Sequence, residues 1–133
     1  MSKPIAMLSL AFLLLLGGCA TKAKFNLQGS YQSERVDGYN VLICFQQDES
    51  SFVEYIDSRE VDRGTYEKTK DNVYRIKSDK QNFEITLNDE NSFEIVIKKL
   101  NKGNPIKLKN LSAIPGYPSN KYGDEAEYQA LLN

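Results

Sequence analysis

The sequence contains no histidine and no tryptophan, and only two of its 133 residues are cysteine. The missing histidine removes the commonest general base, the commonest zinc ligand and the usual switch near neutral pH. A Ser-His-Asp site cannot be assembled from such a chain, and none of its serines sits in a nucleophile elbow. No glycine-rich phosphate loop is present. No catalytic residue, metal ligand or cofactor is therefore expected. Excess basic charge is also missing: 17 Lys and Arg stand against 18 Asp and Glu, with no basic stripe. Nucleic acid is accordingly a poor partner for it.

What the chain does have begins at its start. Lys3 precedes Ile5 to Leu16, where Ser9 is the only polar side chain. Twelve helical residues rise about 18 Å, short of the roughly 30 Å hydrocarbon core, so a secretory signal fits better than a permanent span. Small residues lead directly into a cysteine at Leu15, Leu16, Gly17, Gly18 and Cys19. This stretch resembles the lipobox of bacterial lipoproteins, usually written Leu-[Ala/Ser]-[Gly/Ala]-Cys. The resemblance implies cleavage between Gly18 and Cys19 and diacylglycerol transfer to the Cys19 thiol, so that acyl chains on Cys19 bind the membrane. Ala20 and Thr21 follow, without the aspartate that tends to keep such proteins in the inner membrane. An outer-membrane location, facing the periplasm or the surface, is what the resemblance then implies.

Removal of residues 1–18 leaves 115 residues, enough for one domain, with a formal charge of 16 − 18 = −2. Residues 19–26 read as a lipidated tether, 27–111 as a β-domain and 112–133 as an irregular tail ending in a short helix. With Cys19 carrying lipid, Cys44 has no disulfide partner. It sits in "NVLICFQ", an apolar run expected to form a strand covered on both faces, and reads as a small buried hydrophobe.

From Leu27 the apolar residues recur with period two. Tyr74 and Ile76, then Phe83, Ile85 and Leu87, then Phe93, Ile95 and Ile97 alternate with charged or polar residues. The intervening segments at 37–38, 70–72, 78–82, 88–91 and 101–104 supply the Gly, Asn and Asp of reversals. The expected fold is all-β: an antiparallel meander of seven or eight strands, curled into a small barrel or sandwich. "DSREVDRG" (57–64) reads as a solvated turn of alternating charge. Asp124 reads as the N-cap of a helix bearing Tyr128, Leu131 and Leu132.

Eight tyrosines are the other conspicuous feature. Tyr31, Tyr66 and Tyr74 fall on expected inward faces and are candidates to line a ligand cavity. Ordinary sheet packing, which tyrosine favours, is the competing account. Together with "GTYE" at 64–67, Gly29-Ser30-Tyr31 loosely resembles the lipocalin-like domains of small bacterial lipoproteins, with Tyr31 replacing the tryptophan of the Gly-x-Trp signature. Two functions follow as expectations. One is a lipid-anchored, non-enzymatic module binding a hydrophobic small ligand or an envelope component. The other is a structural or inhibitory protein-interaction module acting through a strand edge or the Tyr-rich tail. The inward side chains are large enough to favour a filled interior, which would leave binding to the rim and tail.

Overall fold

The period-two segments form strands, as residues 25–133 show in a computed structural model. Gly18, Cys19 and the expected signal sequence lie outside the described residues. The strands are β1 (Gly29–Ser33), β2 (Val41–Gln46), β3 (Ser51–Ile56), β4 (Arg59–Lys70), β5 (Val73–Lys77), β6 (Asn82–Thr86), β7 (Ser92–Ile95) and β8 (Ile106–Ser112). They form one eight-stranded sheet in the order β6-β5-β4-β3-β2-β1-β8-β7, antiparallel throughout. Each strand except β6 and β7 pairs with both of its neighbours in the ring, and β8 returns to β1. The fold is thus the expected meander, curled into a barrel closed everywhere but at a seam between β6 and β7. A short helix α1 (Glu125–Gln129) follows near the C-terminus. Among the described residues no helix is long and apolar enough to cross a membrane.

The turns obey local chemistry. Asp37 and Gly38 both have positive φ, as a two-residue hairpin turn between right-twisted strands requires. Asp57 and Ser58 do the same. This second turn corrects the expectation for residues 57–64: only two of them reverse the chain, and β4 begins at Arg59. A register shift between Glu54 and Tyr55 opposite β4 brings both Val61 and Asp62 under cover. The segment is half core, not a solvated loop.

The interior is built from aromatic rings. Tyr31 meets Phe45 edge-on at 5.7 Å between centroids and Phe93 at 5.0 Å. Phe45 in turn meets Tyr66 at 5.1 Å and Phe93 at 6.0 Å, within the spacing at which such pairs attract. Val41, Phe52, Ile56, Val61, Ile106 and Leu108 complete the packing. Phe83, at the seam, is only partly buried. Leu131 and Leu132, beyond α1, pack on the core, and the Lys99 amide donates to the Leu131 carbonyl at 3.1 Å.

Gly29 has a positional reason. Its φ is +84°, and a Cβ there would collide with the Ser112 carbonyl of β8. The β1–β8 closure therefore depends on a residue without a side chain. Gly29→Ala is expected to lower stability by about 2–4 kcal/mol, read as a reduced urea midpoint. An unchanged midpoint would mean that the two strands do not approach so closely.

Candidate functional site

The three tyrosines singled out in the sequence are brought together inside the barrel, where they act through hydroxyls as well as rings. Tyr66 and Tyr74 lie 6.2 Å apart. The Leu27 amide donates to the Tyr74 hydroxyl at 3.2 Å, and the Tyr66 hydroxyl donates to the Leu27 carbonyl at 3.3 Å. The Tyr31 hydroxyl donates to Asn91 Oδ1 at 2.7 Å. Burial pushes the Tyr31 phenol up to about 12, so it stays a neutral donor. Leu27, itself buried, thereby closes one end of the barrel. Tyr66 also reaches a surface depression, beside Ser50, Glu67 and Arg75.

A second polar cluster went unseen in the sequence. Glu54 follows Phe52 and precedes Ile56 on the inward face of β3 and is fully buried. Its Oε1 accepts from Gln81 Nε2 at 2.9 Å, and its Oε2 has no partner. The same Gln81 amide donates to Asp62 Oδ2 at 2.7 Å, as does the Ser78 hydroxyl at 2.6 Å. Lys80 Nζ donates to the Val61 carbonyl at 3.1 Å. The β5–β6 turn is therefore gripped by two carboxyls across the β3–β4 ladder. Burial, reinforced by the Asp62 charge, raises the Glu54 carboxyl to about 7 against the Gln81 hydrogen bond. Among the described residues no cluster of three or more Cys, His, Asp or Glu could hold a metal ion.

Outside the barrel the tail forms a strap. Gly116 donates its amide to the Ser30 hydroxyl at 2.9 Å and accepts from the Cys44 thiol at 3.4 Å. Cys44 is buried, as expected, but the β2 run is covered on both faces only there, since Leu42 and Gln46 on the outer face are partly exposed. Its cover is nevertheless the tail and not the core, because its side chain points away from Ile43 and Phe45. Burial raises its thiol further from the reactive form. The strap is fastened again at Arg59, whose guanidinium meets both Asp124 oxygens at 3.0 and 3.1 Å. The Tyr122 ring lies 3.8 Å from that guanidinium and the Tyr128 ring 4.7 Å. Asp124 does occupy the N-cap position, but Arg59 takes its carboxylate. Glu125 instead accepts from the Tyr122 and Gly123 amides ahead of the helix, so no side chain caps its first turn.

Between strap and barrel lies an open groove of about 1000 Å³ on the outer face of β3 and β4, walled by Tyr55, Arg63, Lys77, Tyr117 and Pro118. A smaller pocket of about 360 Å³ continues it past Arg63 toward Lys121 and Gln129. Arg63 is held by Glu60 at 2.6 and 2.8 Å. Desolvation raises the Tyr55 phenol to about 12, keeping it protonated. The groove thus presents two phenols beside the Arg63–Glu60 ion pair. Arg63 reads in the sequence only as part of the charged stretch 57–64 and Tyr117 only as part of the Tyr-rich tail; Tyr55 carries no signal there, and the meeting of the three is not legible because they lie on separate segments.

No family model matches this chain, and neither a curated protein nor a solved structure matches it significantly.

Two measurements check this geometry. A buried acid with a raised pKa weakens folding as pH rises from its unfolded value near 4.5 through about 7, because the folded state retains a proton that the unfolded state releases. Glu54→Gln is therefore expected to stabilise the protein at pH 8, by on the order of 2 kcal/mol, and to change little at pH 4. Equal effects at both pH values would contradict a proton held at Glu54. For the strap, Ser30→Ala in a Cys19→Ser background is expected to speed native thiol labelling of Cys44 at least tenfold. Rapid labelling before that substitution would show Cys44 uncovered.

Proposed function

We propose that this protein is a bacterial lipoprotein, held by acyl chains on Cys19 at the outer membrane, facing the periplasm or the surface. Its β-domain is a non-enzymatic binding module for an envelope protein, which it engages from outside the barrel. One observation carries the site of binding: the interior rings stand 5.0–6.4 Å apart in mutual contact, while a groove of about 1000 Å³ lies outside, walled by the tail. The interaction expectation gains support over a ligand held within, since a hydrophobic ligand would have to displace aromatic packing. The groove's Tyr55, Tyr117 and Arg63 belong to the residue types that anchor protein interfaces.

The anchor and the groove are tested separately. Radioactive palmitate fed to the native host should label the wild-type protein, and Cys19→Ser should lose the label and accumulate as precursor. Full labelling of Cys19→Ser would sink the anchor. A photo-crosslinking residue at Lys77, in the groove, should yield one discrete protein adduct in that host, whereas one at Lys107, on β8, should not. A small hydrophobic molecule retained in native mass spectrometry, with no adduct from Lys77, would overturn the groove reading.

A further inference from the structure

The large exposed apolar residues are not scattered evenly around the barrel. Phe25, Leu111, Ile114 and Tyr117 lie at one end of it, and Val96 and Tyr122 lie elsewhere. Strand registers fix that end: Gly29 pairs with Phe45, Ser30 with Ser112, and Ser92 with Lys109. It is also the end where Leu27 is held by Tyr66 and Tyr74, and from which the chain runs back toward Cys19. Asn110 Nδ2 donates to the Gln28 carbonyl at 3.4 Å, so the departing chain passes directly beside the end of β8. Ile114 is 75% exposed and Leu111 62%.

We infer that this end of the domain rests against the bilayer, with Leu111 and Ile114 entering the lipid headgroup–acyl boundary. The inference rests on the proposed anchor. From Cys19 to Leu27 the chain reaches about 28 Å at most, so the tether permits contact but does not impose it. The exposed side chains supply the reason for contact, because apolar groups beside a membrane surface gain by entering it. Lys109 and Lys107 are exposed on β8 and line one surface depression with Leu111. They stand about 7 and 14 Å behind it along the strand, at the height where cations meet lipid phosphates. Asp48, Glu49, Asp89 and Glu90 occupy turns at this same end. Lys68, Lys70 and Asp71 on the β4–β5 hairpin share this end, so the net acidic side lies at the β2–β3 and β6–β7 connections, which oppose contact with anionic lipid and tilt the domain onto its β8 side. The outer groove on β3 and β4 opens at this same end through Glu49 and Tyr117, but it lies three to four strands from β8, so the tilt keeps it in the aqueous phase.

A chain without tryptophan permits a direct test. The full-length acylated protein carrying Ile114→Trp is reconstituted into phosphatidylethanolamine–phosphatidylglycerol vesicles. A matched protein carries Val96→Trp. The Ile114→Trp emission should shift to the blue and lose most of its intensity to brominated lipid, whereas Val96→Trp should keep an aqueous spectrum. Mass spectrometry of the same samples reports the acyl chains. A missing acyl mass with quenching intact would sink the anchor and leave the membrane face standing. An unquenched Ile114→Trp, acylated or not, would overturn the membrane face.

Discussion

Closure of the barrel by Leu27 is the constraint on which the other features depend. A meander of this size must satisfy the backbone of the segment entering it, and two phenols do so. Tyr74 accepts from the Leu27 amide and Tyr66 donates to its carbonyl. These hydroxyls reach the entering chain because the Tyr66 ring meets Phe45 edge-on and the Tyr74 ring packs tilted against Tyr66. The same rings that fill the barrel therefore seal its end. Sealing fixes where the chain leaves the domain, and a filled interior is why the proposed recognition is assigned to the outer surface.

That outer surface is organised by the tail. Ser30 and Cys44 hold Gly116 at one point, and Arg59 holds Asp124, Tyr122 and Tyr128 at another. Between these fastenings, residues 117–121 wall the groove over β3 and β4. The tail is thus a structural part of the domain, although its sequence is irregular. In the proposed orientation, the end bearing Leu111 and Ile114 meets the membrane and leaves the groove free for an envelope partner.

Much of the fold was legible in the sequence because period-two alternation records burial directly. Tyr31, Phe45, Ile85 and Phe93 lie inside as their alternation predicts. Asp37-Gly38 announces its turn because few other residue pairs tolerate positive φ at both positions. The charged stretch at 57–64 misled because its turn is made by Asp57 and Ser58, without glycine, and because a bulge hides Val61 among charges. Glu54 could not be recognised, since its burial depends on Gln81, which is close only in three dimensions. The groove was illegible for the same reason: Tyr55, Arg63 and Tyr117 share no local pattern. Cys44 was read correctly as buried, but its cover comes from Gly116, which is distant in sequence.

The central claim is that the barrel is filled by its own aromatic rings and binds from outside. Proton–proton nuclear Overhauser contacts in the ligand-free protein test this most directly. Cross-peaks are predicted between the rings of Tyr31 and Phe93, Tyr31 and Phe45, and Phe45 and Tyr66, whose centroids lie 5.0, 5.7 and 5.1 Å apart. Absence of these contacts, with the same rings showing cross-peaks to water or to a co-purified small molecule, would contradict the claim and describe a hollow barrel.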